Sequence, residues 1–111
     1  MKISNLVKES FSTACVKGWH LERRDLPELL CLIHSEVSEV LEEYRKGKDP
    51  KEIYYDEENP KKPEGIPIEL ADVLIRIGDL CGLYEIDIEK ALKAKLNYNK
   101  TRPHRHGNKI C

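Results

Sequence analysis

Two short acidic pairs stand out along the chain, Glu36 with Glu39 and Glu69 with Asp72. A three-residue spacing puts both members of a pair on one side of an α-helix. At about 100° per residue, Glu36, Glu39 and Glu43 form a stripe along the edge of an apolar helix face, where carboxylates are partly desolvated. Around the second pair, Leu70, Val73, Leu74 and Ile77 cover one side of a helix, and Ile68, Ala71, Ile75 and Gly78 cover much of the other. The polar strip that remains is Glu69, Asp72, Arg76 and Asp79. Acids confined to the narrow strip of a helix suited to burial need partners. Arg76 can neutralise one or two of them, but Glu36, Glu39, Glu69 and Asp72 brought together would still repel. A divalent cation resolves that conflict, and all-oxygen ligands suit Mg²⁺ or Mn²⁺ rather than zinc.

The bland alternative is a solvated acidic face held by ordinary helix pairs such as Glu42 with Lys46. For one acidic helix that reading is the better one, and the second acidic strip displaces it. Further along, an inward face that begins with Ile88, Ala91 and Leu92 continues as Lys95, Asn99 and Arg102. Lysine offers a point charge and arginine a planar fork, both suited to phosphate oxygens. Cations in a last helical turn also favour the helix dipole for purely structural reasons. Trp19 and His20 could stack on or contact a base, or Trp19 could plug the end of a bundle. His34 reads as an ordinary packed or exposed side chain. His104, Arg105 and His106 could close over phosphates or belong to a loose tail. Tyr54 and Tyr55 are lid candidates by their loop position alone.

Four helices must position these groups. Ile3, Leu6, Val7, Phe11 and Ala14 recur at helical spacing until Gly18. Asp25-Leu-Pro-Glu28 resembles a capping box and opens a second helix that runs to Gly47. Its apolar positions Leu26, Leu30, Ile33, Val37, Val40 and Tyr44 predict a bundle seam. Residues 48–66 combine Pro, Gly and charge without a sustained period and read as a long loop. Pro67 is an early residue of a third helix reaching Gly82, and Asp87 caps a fourth from Ile88 to about Thr101, before Pro103. The polar tail from about residue 103 to 111 forms no further element.

At this point three stretches, L-I-H-S-E-V-S-E-V-L-E-E-Y-R, K-P-E-G-I-P-I-E-L-A-D-V-L-I-R-I and K-L-N-Y-N-K-T-R-P-H-R-H-G, resemble the MazG-like nucleotide pyrophosphohydrolases over most of the chain. That family's metal signature, E-x-x-E on one helix and E-x-x-D on the next, is matched by Glu36, Glu39, Glu69 and Asp72. Residues 40 to 68, which separate the pairs, make a stretch toward the long end for such proteins. The resemblance implies an all-α, four-helix MazG-like bundle spanning residues 1–111 and completed by assembly as a homodimer or homotetramer. It implies hydrolysis of a nucleoside triphosphate to monophosphate and pyrophosphate with Mg²⁺ as cofactor, and nucleotide-pool cleaning as one role. Glu39 is then the first candidate for positioning the attacking water. Glu36, Glu69 and Asp72 serve mainly as metal ligands, Lys95 and Arg102 as phosphate contacts, Asn99 as a contact to phosphate, sugar or a metal-bound water, and Trp19 as a base contact.

Composition narrows the field. With 111 residues the chain fits one domain of a size often reinforced by assembly. Its 19 Lys and Arg nearly balance 20 Asp and Glu, which argues against a general nucleic-acid binder. No apolar run approaches the length of a membrane span, and the opening MKISNLVKESF lacks a signal peptide's apolar core, so a soluble cytoplasmic protein is expected. Cys15, Cys31, Cys81 and Cys111 include no C-x-x-C pair and read as reduced structural thiols. Two other classes compete with the enzyme. A non-catalytic nucleotide-binding or helical assembly module would share the bundle, but the complete acidic quartet argues against it. A di-iron carboxylate bundle would need Glu-x-x-His motifs, which the acid pairs lack.

Overall fold

Asp25 and Asp87 start their helices as their side chains predict. Asp25 accepts a hydrogen bond from the Glu28 backbone N–H at 3.2 Å, and Asp87 accepts one from Lys90 N–H at 3.1 Å. The computed structural model describes residues 1–22, 24–103 and 110. It contains α1 (Ile3–Val16), α2 (Leu26–Arg45), β1 (Tyr54–Tyr55), β2 (Pro63–Glu64), α3 (Ile66–Leu83) and α4 (Ile88–Thr101). The chain is therefore mainly helical, with helix limits close to those expected. None of the helices is long and apolar enough to cross a membrane among the described residues. The expected tail, including His104, Arg105, His106 and Cys111, lies outside the described residues, Pro103 and Ile110 apart. Cys15, Cys31 and Cys81 are free thiols within helices, but only Cys81 is buried as a structural thiol would be, whereas Cys15 and Cys31 are exposed.

The third helix organises the packing. Both α1 and α2 lie against α3, whereas the main contact of α4 is a small one with α1. Close approach of α1 to α3 depends on missing side chains. A Cβ at Gly78 would stand 2.9 Å from Ser10 Oγ and 3.3 Å from the Leu6 carbonyl oxygen, and one at Gly82 would strike the Phe11 ring. Leu29, Leu80 and Cys81 form the buried core, with Val7, Leu32, Ile33, Ile77, Leu83 and Ile88 packed around them. A core of that size offers little reserve, since a fully buried leucine contributes only about 1.5–3 kcal/mol.

Two expectations need correction. The seam of α2 was expected at Leu26, Leu30, Ile33, Val37, Val40 and Tyr44, but Leu26, Leu30, Val37 and Tyr44 are exposed. The face that meets α3 instead runs through Leu29, Ile33, Glu36, Val40 and Glu43, about a sixth of a turn away. Because α2 carries apolar residues on both stripes, its period identified a helix without selecting the stripe that faces α3. The second correction concerns residues 48–66, which are not structureless. Tyr54 pairs with Glu64 and Tyr55 with Pro63 in a short antiparallel hairpin.

The hairpin is tied down at both ends. The Tyr54 hydroxyl donates to Glu43 Oε2 at 2.8 Å, and Lys48 Nζ sits 4.1 Å from the centre of the Tyr54 ring. At the other end Gly65 adopts φ 122° and ψ 171°, a conformation open essentially to glycine alone, with its α-carbon against the Glu52 carbonyl. Gly47 also has a positive φ, 85°, but has open space where a Cβ would lie. Gly47→Ala should therefore cost about 1 kcal/mol from backbone strain. Gly65→Ala, which adds a clash with backbone, should cost about 3 kcal/mol. Urea unfolding of both variants checks this, and equal losses would show that the Glu52 contact carries no weight.

Candidate metal centre

Glu36 comes from the middle of α2, and Glu69 and Asp72 come from the first turns of α3. Their helices meet so that one carboxylate oxygen from each lies within 4.8 Å of the others. Oxygens sharing one Mg²⁺ at about 2.0–2.1 Å stand about 3–4 Å apart, so small side-chain rotations would close this set onto a single ion. Three half-buried carboxylates and no nitrogen or sulfur ligand make a donor set that fits Mg²⁺ or Mn²⁺. Arg76, one turn beyond Asp72, donates through Nε to Glu36 Oε1 at 3.1 Å. It thus ties α3 to α2 and relieves part of the repulsion, the role its position predicted.

The electrostatics record what remains. Burial is the main cause that raises the Glu69 carboxyl above its ordinary value, followed by the charges of Asp72, Glu36, Glu39 and Glu43. Burial likewise raises Asp72, with Glu36 adding to it, while a hydrogen bond with Glu69 and the cations Arg76 and Lys62 pull the other way. Both shifts favour protonated acids in the metal-free protein. A divalent ion would reverse that preference.

Beside the cluster opens a cavity of about 650 Å³, lined by Glu36 and Asp72 together with Ser10, Thr13, Trp19, Lys62, Arg76 and Asp79. Its size is within the usual range for small-molecule sites, about 300–1,000 Å³. Trp19 is 44% exposed and has the guanidinium groups of Arg24 and Arg76 at 5.0 and 5.1 Å from its ring. The Schellman-type end of α1, with Trp19 N–H bonded to Ala14 O at 3.0 Å, places it there. Next to it, His20 Nε2 lies 2.7 Å from Asp79 Oδ1, and its ring packs against Phe11. Asp79 is thus engaged by His20 and stands apart from the metal triad.

No family model matches the chain, and neither does any curated protein or solved structure.

The remaining expected residues divide. Glu39 is exposed on α2 and is not one of the three clustered acids, although its charge reaches Glu69. Lys95 and Asn99 are also exposed, contrary to the inward face expected for α4, because that helix has no partner on its cationic side within the described chain. Arg102 is half-buried and lies over the Tyr98 ring. None of the three lines the cavity. Tyr54, expected as a lid candidate, is instead fixed to buried Glu43, and that hydrogen bond, aided by burial, pushes its hydroxyl up to about 12. Sequence reasoning missed Lys62 as a site residue, although it opens the K-P-E-G-I-P stretch that leads into α3.

The raised acids give a signed prediction. As pH rises from the ordinary carboxylate range through the raised values of Glu69 and Asp72, the unfolded chain releases protons that the folded chain retains. Their contribution to stability therefore falls towards neutral pH. Asp72→Asn should be more stable than wild type at pH 7 in EDTA, with the difference shrinking in acid. Excess Mg²⁺ or Mn²⁺ should stabilise wild type by about 2.7 kcal/mol at a hundredfold over Kd, and Asp72→Asn far less. Thermal melts across pH, with and without metal, would refute the centre if the two proteins responded alike.

Proposed function

We propose that the chain is a Mg²⁺-dependent nucleoside triphosphate pyrophosphohydrolase that releases nucleoside monophosphate and pyrophosphate. The observation that carries this reading is the convergence of Glu36, Glu69 and Asp72 from two helices beside a cavity that also holds Arg76, Lys62 and Trp19. Carboxylates next to cations and an aromatic ring match the parts of a nucleoside triphosphate: metal-chelating phosphates, further anionic oxygens and a flat base. The MazG-like pattern of the two acid pairs supports the same substrate.

Glu36, Glu69 and Asp72 hold the cation. When bound, Mg²⁺ supplies positive charge against the phosphate chain and makes water more acidic. Exposed Glu39, adjacent to the triad on α2, orients the attacking water and accepts its proton. Attack falls on the α-phosphorus in line with departing pyrophosphate, whose negative charge the cavity's cations stabilise. Trp19 offers its ring to the base. Lys95, Asn99 and Arg102 join as phosphate contacts in the assembled homodimer or homotetramer, where a second copy covers the exposed apolar residues Leu30, Val37 and Leu41 of α2 and Leu70 and Leu74 of α3.

Turnover of a nucleoside triphosphate panel with Mg²⁺ in ¹⁸O-labelled water should place the label in the monophosphate. Label in orthophosphate, with diphosphate as co-product, would overturn this assignment while leaving the metal centre standing. Glu36→Gln and Asp72→Asn should each abolish turnover and keep the helical circular dichroism of wild type. Light scattering at micromolar concentration should give at least a dimer, and a well-folded monomer would refute the assembly.

A further inference from the structure

A triphosphate carries more negative charge than one divalent cation neutralises, so the site needs cations of its own. Among the described residues, the cavity beside the acid cluster has two, Arg76 and Lys62. Arg76 is committed: its Nε is bonded to Glu36 and its guanidinium lies 5.1 Å from the Trp19 ring centre. Lys62 is far less constrained. Its side chain is 65% exposed, and its nearest carboxylate is Glu64, at 3.8 Å, too long for a firm hydrogen bond.

The backbone beneath Lys62 is well fixed. Its N–H bonds to the Asn59 carbonyl at 3.1 Å, and the Asn59 N–H bonds to the Asp56 carbonyl at 3.2 Å. Lys62 then leads directly into β2, which the ladder with β1, the Tyr54–Glu43 hydrogen bond and the Gly65 packing hold in place. A mobile ammonium on an anchored stem suits an ion that must meet a phosphate chain only when substrate arrives. Its charge already acts on Asp72.

We propose that Lys62 is a substrate-binding residue, carried into the acid-lined cavity by the β1–β2 hairpin to contact the phosphate oxygens of the metal-chelated substrate. The proposal rests on the triphosphate reading given above for this cavity. It assigns the hairpin a task, presentation of a cation not bonded to the acid cluster, since the cavity's helical cation Arg76 is bonded to Glu36. It also sets opposite signs for two binding events. Removing Lys62 weakens the hold on a phosphate chain, yet it removes a positive charge beside Asp72 and so leaves the affinity for bare metal equal or tighter.

The test uses the full chain and its Lys62→Ala and Lys62→Arg variants, with folding checked by circular dichroism and thermal melting. Calorimetry measures binding of Mn²⁺ alone, then of inorganic pyrophosphate in saturating Mn²⁺, and steady-state kinetics follow triphosphate hydrolysis. Lys62→Ala should weaken pyrophosphate binding and raise KM by about tenfold to a hundredfold, the loss of one charge-assisted contact. Mn²⁺ affinity should hold or rise, and Lys62→Arg should recover most of the loss. Unchanged pyrophosphate affinity in Lys62→Ala overturns the proposal, as does a parallel loss of Mn²⁺ affinity, which would make Lys62 a structural residue. If wild type hydrolyses no triphosphate, the enzymatic reading fails by itself, and the pyrophosphate titration still decides Lys62. Absence of pyrophosphate binding by wild type overturns it too.

Discussion

Repulsion between the carboxylates of α2 and α3 is the constraint to which the surrounding structure answers. Two full charges at about 4 Å repel by about 4 kcal/mol at an effective dielectric of about 20, more than one buried leucine contributes. The junction of α2 with α3 therefore cannot hold Glu36, Glu69 and Asp72 together on apolar packing alone. The protein meets part of the demand with the Arg76–Glu36 bond and part with the upward shift of Glu69 and Asp72 towards neutrality. What is left over is a surplus of negative charge that a cation could neutralise. In this sense the small core around Leu29, Leu80 and Cys81 and the candidate metal centre form one energetic unit, because the same two helices build both.

The parts of this arrangement that were legible in the sequence are those written in local chemistry. Asp25 and Asp87 announce helix starts by their capping side chains, and Gly18 and Gly47 announce helix ends by their left-handed backbones. The crowded polar strip of α3 pointed to Glu69, Asp72 and Arg76 because acids on a nearly all-apolar helix need an explanation wherever that helix packs. Glu36 followed from its place at the edge of an apolar stripe. The choice between the two stripes of α2 was hidden, since Leu29 and Leu30 differ by only one residue and both are leucines. The arrangement of the helices also depends on the close approach of α1 to α3 at Gly78 and Gly82, between pairs distant in sequence. The hairpin was hidden for the same reason: its two-residue strands are too short to set a period, and its anchors Glu43 and Glu52 lie outside them.

The fourth helix illustrates a different limit. Its pattern, apolar at Ile88 and Leu92 and cationic at Lys95 and Arg102, describes a helix made to lie against something. Within one chain its main contact is a small one with α1, and Leu92, Leu96 and Tyr98 remain exposed. A sequence pattern reports that a face is to be covered, but not whether its own chain supplies the cover. Exposed apolar residues on α2, α3 and α4 together amount to more surface than isolated leucines would explain.

The double pinning of the hairpin separates its tip from the helices. Residues 56–61 are exposed, and chain entering and leaving them is held by Tyr54 on one side and by Gly65 on the other. Insertions at the tip would break the Asp56–Asn59 and Asn59–Lys62 turn hydrogen bonds and add loop-closure entropy of about 0.6 kcal/mol for each doubling of length, without touching the helices. The span between the two acid pairs is thus a region where an insertion would leave the helix packing in place. A lineage could graft a new recognition segment there, as an engineer could graft an epitope, while the scaffold beneath kept its register.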